Sequence, residues 1–503
     1  MNPEPQISRR HRLKKWLFRR KTLKVFGWSI VTFITISVLF FQIERWRGAR
    51  AWESAKKDYL AAGGTLEMKD LYPKAPPSVN NFGALPLFKE IALENSSLGE
   101  QNREKLRKAR LVHGKDQPKT TNKPRFSDNK ENFLKNYAQF LGIDAPEHSS
   151  QEAAKQILQH IDQHAGKVLD KMKLGVNYSK SQLTESPLQG ASEELGIHTP
   201  LPHLFLLLRA SETVILKGIA SVEVGDRKTA LESLTLALQL RDLVKNDFLV
   251  GLLVARAIDQ IALELIQYGI DKQIWAPDDL TWIAHSKANS PLSQLLRGLQ
   301  MEVISVVQYA NIMKGGFNKR IETIEDPTLR PAYQYAFMPA GWIDLSSAKL
   351  LSLYLPMISL NPTEHQPHEL LSAIQTAEQK LEKMNKFSPS STLGLLIVPS
   401  VLDVGRRIIA GDIRQRLMRV SCAIEQYHIV NQRLPDNLAA LVPQYLSELP
   451  KDPINQEPLR YQTHGKSGYT LYSIGIDQQD NQGKPSKSGK PKKGTDIVWK
   501  VRS

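Results

Sequence analysis

The chain has 503 residues, 41% of them apolar and 23% charged, with a net charge of +16 and a single cysteine. That length exceeds one ordinary domain and the apolar share can fill a sizeable core, so two or three compact units are expected. One cysteine excludes any intramolecular disulfide framework, which leaves the redox compartment open.

The positive charge is local. Residues 1–24 hold nine Lys/Arg against one Glu, residues 101–130 ten against three acids, and residues 484–503 seven against one Asp. The rest of the chain is mildly acidic. A nucleic-acid face requires basic residues interleaved with aromatics on a folded surface, and none is seen, so no nucleic-acid partner is expected.

In chain order, residues 1–24 read as a basic tail and residues 25–43 as a transmembrane helix. The 19 residues from 25 to 43 carry no charge, and at 1.5 Å per residue they span about 28 Å, the hydrocarbon thickness of a bilayer. Trp16, Trp28 and Trp46 sit near the ends of this run, where indole rings favour the membrane–water boundary. The basic tail outweighs the mixed ERWRGAR run that follows, so a cytoplasmic amino terminus and a periplasmic bulk are expected. A cleaved signal peptide is the rival reading, because Ala49-Arg50-Ala51 matches a small-x-small site. The length of the run and the charges at Glu44, Arg45 and Arg47 disfavour it.

Residues 44–131 read as a stalk and a basic linker. The stalk is a helical continuation of the span, stopped at Gly63-Gly64. Residues 101–131, rich in Lys, Asn and Pro, are expected to form an exposed excursion, with anionic headgroups as a rival partner. From 132 to 400 apolar residues recur at three- and four-residue spacing, which predicts a large α-helical domain. Within it, residues 206–243 read as a helical hairpin. Small residues Ala210, Gly218 and Ala220 lie on its first helix, Gly225-Asp226 forms the turn, and Ala230, Leu234 and Ala237 lie on the second. The hairpin looks like a tetratricopeptide unit; a solenoid needs about three copies, and one is found. The Pro- and aromatic-rich stretch from Asp326 to Ile358, with Tyr333, Tyr335, Phe337, Trp342 and Tyr354, reads as irregular core cover or as a pocket wall.

Catalytic signatures are missing: the chain has no phosphate-binding glycine loop, HExxH, GxSxG or cysteine cluster. His160 and His164 are spaced to share a helix face, but zinc needs three or four ligands and no third is signalled. They are expected to be solvated or packed, as are His365 and His368. Cys422 falls on an apolar helix stripe and is expected to be an inert buried thiol. Adjacent carboxylates at Glu193-Glu194 and Asp278-Asp279 point apart on a helix, as surface or capping residues do.

Residues 401–503 read as a small α+β module. A long helix over 401–431 ends at Leu434-Pro435, Asp436 or Asn437 caps a short helix, and two strands alternate around His464-Gly465. About 80 of these residues resemble the soluble domain of the major pseudopilin of bacterial type II secretion systems. Tyr427 and Pro435 match the helix end, Leu438 and Leu441 the short helix, and Tyr445 with Leu449-Pro450 the loop. Asp452-Pro453, Pro458 and Tyr461 match the turn into the first strand. Ser473, Gly475 and Asp477 match the approach to a calcium loop, closed by Asp496-Ile497 and Trp499. The resemblance implies calcium as a cofactor, with carboxylates from Asp477, Asp480 and Asp496 and a neutral oxygen from Asn481, since the ion takes six to eight hard oxygens. Gln478 stands where the family favours glycine, and Lys484, Lys487, Lys490, Lys492 and Lys493 crowd the loop. The module also lies nearly 400 residues beyond the span and no pseudopilin processing motif is present, which counts against a filament subunit. The whole chain is similar in arrangement to a group of planctomycete- and verrucomicrobial-type single-pass membrane proteins, a resemblance that implies an architecture and no activity.

The expectation is therefore a mainly α protein of the bacterial inner membrane: a transmembrane helix, a large α-helical extracytoplasmic domain and a small pseudopilin-like α+β module. The expected partners are the lipid bilayer and envelope proteins, to which the module is presented. An envelope enzyme with a pocket around Tyr333 and Trp342, or a tetratricopeptide-like peptide adaptor, is the alternative.

Overall fold

A computed structural model describes residues 20–71, 78–93, 96–109, 123–124, 126, 130–143, 149–184, 201–244, 248–286, 291–314, 338–361, 367–486 and 492–502. Tyr333, Tyr335, Phe337, His365, Glu193-Glu194, Lys487 and Lys490 lie outside these residues, as does the basic tail before residue 20. The protein is mainly helical, with thirteen α-helices among the described residues and one three-stranded sheet near the carboxy terminus.

Helix α1 (Arg20–Ala61) is continuous over 42 residues. It contains one segment long and apolar enough to cross a membrane, and the side chains from Val25 to Ile43 are largely exposed. Beyond that run the helix changes character. Expected as a stalk, it instead packs along α11 (Ala340–Ile358), and Tyr59 is fully buried. The contact depends on two glycines: a Cβ on Gly48 would overlap the backbone of Gly341, and a Cβ on Gly341 would overlap the carbonyl of Glu44. Trp342 Nε1 donates to Glu44 Oε2 at 3.0 Å, and its ring meets Phe40 edge-on with centroids 6.4 Å apart. The helix stops where expected, with Gly63 at φ +87°, a conformation without penalty only for glycine.

The basic stretch from residue 101 is an exposed excursion only in part. Its first residues belong to α2 (Ser97–Arg107), capped by Ser96, whose hydroxyl accepts the Gly99 N–H at 2.8 Å. The physical reason is a buried polar face. Arg103 donates to the carbonyls of Ile91 and Leu93, and Asn102 to those of Pro86 and Lys89, while Leu106 enters the core. Residues 110–122 lie outside the described residues.

Short helices α3 (Phe133–Phe140), α4 (Ser150–His164) and α5 (Gly166–Lys173) lead to the hairpin of α6 (Pro202–Glu223) and α7 (Arg227–Val244). Gly225 makes the turn at φ +81°. Gly218 faces the Ser233 Cβ and Leu265, so α6, α7 and α8 (Leu249–Asp271) approach closely. Gln239 on α7 donates to the carbonyls of Gly175 and Val176, fixing the chain after α5. Helices α9 (Pro277–His285), α10 (Pro291–Lys314) and α12 (Pro367–Glu382) complete the body.

Helix α13 (Thr392–Asn431) organises the rest. Its 40 residues include Pro399, and it begins nine residues before the expected start at 401. Beside its first turn, Lys349 of α11 donates to Ser390 Oγ at 2.7 Å and Ser391 Oγ at 3.2 Å. Its last third forms one wall of the sheet module. Strands β1 (Arg460–His464), β2 (Gly468–Ser473) and β3 (Ile497–Val501) are antiparallel in the order β1-β2-β3, with Tyr461 opposite Leu471 and Leu471 opposite Trp499. The two strands expected around His464-Gly465 are present, and the closing TDIVW supplies the third. Ser421 of α13 bonds Tyr469 Oη at 2.6 Å and accepts from Trp499 Nε1 at 2.9 Å inside the core. From Ser391 to Ser421 the helix rises roughly 45 Å.

Candidate functional site: a polar cleft between the helical body and the sheet

The face of the sheet turned away from α13 keeps Gln462, His464 and Lys500 exposed. It faces α8 across a cleft of about 950 Å³, walled by Gln260, Glu264, Gln267 and Tyr268 on one side and Gln462, Thr470 and Lys500 on the other. Strand alternation explains the chemistry: Tyr469 and Leu471 point to α13, and Thr470 points to the cleft. The cleft floor is charged and paired. Lys130 lies 3.2 Å from Asp271, Lys272 lies 2.8 Å from Glu223, and Tyr268 Oη donates to Glu223. Burial, reinforced by that carboxylate, pushes the Tyr268 phenol well above its ordinary range, so it stays a donor at neutral pH. His464 Nε2 and Thr470 Oγ1 are 2.8 Å apart at the rim. Amides, hydroxyls and both signs of charge line this cleft.

Sequence reasoning missed this cleft. Its residues come from segments scattered between 126 and 502, and no local spacing joins them.

The carboxylates implied by the resemblance are placed as follows. Asp477 Oδ2 accepts the Gly494 N–H at 2.6 Å. Asp496, almost fully buried, accepts the N–H groups of Asn481 at 3.2 Å and Gly483 at 2.7 Å. The Asn481 amide lies 3.4 Å from both Asp477 and Asp496 and joins them. Asp480 turns away: its Oδ1 accepts the Gln482 N–H at 2.8 Å and its Oδ2 faces Arg460 Nε at 3.3 Å. The three carboxylates therefore do not converge, and among the described residues no group of three His, Cys, Asp or Glu side chains could hold a metal ion. Backbone amides and an arginine occupy the oxygens that a calcium ion would need, so the donor set does not fit the ion as it stands.

Asp452, in the same resemblance, is the buried pin of the module. It accepts from Ile454 N, Ser473 Oγ and Ile474 N at 2.8 to 3.0 Å, tying the proline turn to the end of β2.

The remaining candidates resolve individually. His160 and His164 stack with ring centroids 4.1 Å apart, and His164 Nδ1 is engaged by the His160 carbonyl. Cys422 is fully buried, and burial raises its thiol far above the ordinary range. Asp279 accepts the Ala276 N–H as a capping residue. His368 lies 3.3 Å from the Gln456 amide. Trp342 is absorbed in the contact with Glu44 and Phe40. Ser390 and Ser391 are nearly buried beside Lys349, whose ammonium donates to both hydroxyls.

Comparison of the chain with protein-family models, curated proteins and solved structures finds no match.

Proposed function

We propose that this is a single-pass protein of the bacterial inner membrane, with its basic tail in the cytoplasm and its bulk in the periplasm. In this reading it is an interaction scaffold that presents a pseudopilin-like module to an envelope or secretion assembly. The observation that carries the reading is α13, one helix that starts beside the helix packed on the membrane anchor and ends inside the sheet module. A rigid spacer of this kind holds a module at a set height above a bilayer, which a tether cannot do. The polar cleft beside the module is where a partner's extended segment binds, through hydrogen bonds of the kind Gln462, Thr470 and Gln260 offer.

The test is site-specific photo-crosslinking of the full chain in its native membrane. A photoreactive residue replacing Gln462 should give discrete adducts with other envelope proteins, whereas one replacing the exposed Val79 should not. A chain that stays solitary from Gln462, in both membranes and mild detergent, sinks the scaffold reading.

A further inference from the structure

The turn between α12 and α13 holds one ring out into solvent. Phe387 is 97% exposed, an unusual posture for the only aromatic residue in that turn. The posture is built, not loose. Asn385 Oδ1 accepts the Phe387 N–H at 2.9 Å, the Asn385 carbonyl accepts from Ser388 N, and the Ser388 carbonyl from Ser391 N. Exposed Lys383 and Lys386 flank the ring on the chain.

The location of this turn follows from contacts with α11. That helix starts at the end of the apolar run of α1: Gly341 meets Glu44 and Gly48, and Trp342 meets Phe40. Ser346, about 8 Å of helical rise further on, donates to the Pro389 carbonyl at 3.4 Å. Lys349 holds Ser390 and Ser391, and the guanidinium of Arg47 is near enough to add to the burial that lowers the Lys349 pKa. The turn is thus fastened to the first three turns of α11, the helix whose start meets α1 at the end of its apolar run.

We propose that the α12–α13 turn seats on the bilayer that α1 spans, with Phe387 entering the interface and Lys383 and Lys386 meeting anionic lipid headgroups. The inference rests on the anchoring reading above. An aromatic ring flanked by lysines suits that boundary, where rings bury their apolar faces and cations meet a negative surface potential. A second foothold beside a single span also removes the freedom of the body to swing about it, which a scaffold of fixed height requires.

Because Cys422 is fully buried, thiols introduced at the surface can be labelled selectively. The full chain carrying Phe387→Cys, and separately Ser29→Cys within the span, is labelled with an environment-sensitive fluorophore and placed in nanodiscs of neutral or anionic phospholipid. The Phe387→Cys label is expected to emit at shorter wavelength and to be quenched at least twofold by headgroup-level nitroxide lipids. Quenching should be stronger in anionic discs and reduced when Lys383→Glu and Lys386→Glu are added. A water-like, unquenched Phe387→Cys label beside a quenched Ser29→Cys label overturns the proposal alone. Shielding from water without lipid quenching overturns it in favour of a protein occupant. Loss of quenching at Ser29→Cys removes the anchoring reading itself.

Discussion

Arg502 sets one guanidinium nitrogen 2.6 and 2.8 Å from the two carboxylate oxygens of Glu425, joining the last strand to α13 inside a nearly closed contact. Its other nitrogens reach the carbonyls of Ser467 and Ile270, and its backbone N–H reaches Asp271. One side chain therefore locks the β1–β2 turn, α8 and α13 together. Replacing it leaves Glu425 buried without its cation, beside the Tyr469 hydroxyl and with His428 at 4.0 Å. Arg502→Ala should destabilise the module by about 3 kcal/mol, because a buried carboxylate stripped of its cation is strongly unfavourable. Chemical denaturation followed by Trp499 fluorescence checks this, and an unchanged midpoint would contradict the clasp.

The glycine crossing of α1 and α11 gives a steric prediction with an internal control. Gly48→Leu should force the helices apart and lower stability by about 2 kcal/mol or more, as overpacking does. Gly27→Leu, where a Cβ meets nothing within 4 Å, should leave stability unchanged. Thermal melts of both variants in the same detergent separate the outcomes; equal midpoints would deny the packing.

His203 supplies a pH dependence. It is fully buried on α6 with neither ring nitrogen hydrogen-bonded, and burial, helped by the nearby Arg103 charge, lowers its pKa to about 4. The unfolded chain binds this proton near pH 6.5 and the folded chain only near pH 4, so the unfolded state holds more protons between those values. The stability it protects is complete above pH 6.5 and declines as the pH falls towards 4, by roughly 3 kcal/mol at most. His203→Leu should flatten that part of the stability–pH curve. An identical slope in the variant would assign the effect elsewhere.

The terminal loop yields a paired test. Asp496→Ala removes the acceptor of two backbone amides in a buried position and should cost about 2 kcal/mol. Melting curves of the intact protein in millimolar calcium and in chelator should coincide, because the loop carboxylates already accept N–H groups. A rise of several degrees with calcium would show that the loop rearranges to hold the ion.

Much of the architecture was legible from local chemistry. Gly63 and Gly225 turn the chain where their backbone freedom allows, and the alternation in YTLYS reads directly as a strand half facing a core, whereas α13 ends at a left-handed Gln432, three residues before the expected Pro435. What was not legible depends on distant partners. The α1–α11 contact rests on Gly48 and Gly341, nearly three hundred residues apart, and a lone glycine in a helical run announces no partner. The start of α13 was hidden by Pro399, which a helix tolerates here inside an apolar stretch lacking a capping signal. Helix α2 was masked by its own charge, since Arg103 reads as solvated until the carbonyls that receive it are known. The orientation of the loop carboxylates is set by backbone amides and Arg460, which no spacing rule encodes.

An unbroken helix held at both ends is also a ruler: with Ser391 held beside Lys349 and Ser421 held by Tyr469 and Trp499, α13 fixes the separation of those two contacts at roughly 45 Å. Because Arg502 also ties the module to α8, that separation is fixed along the body as well as at its two ends.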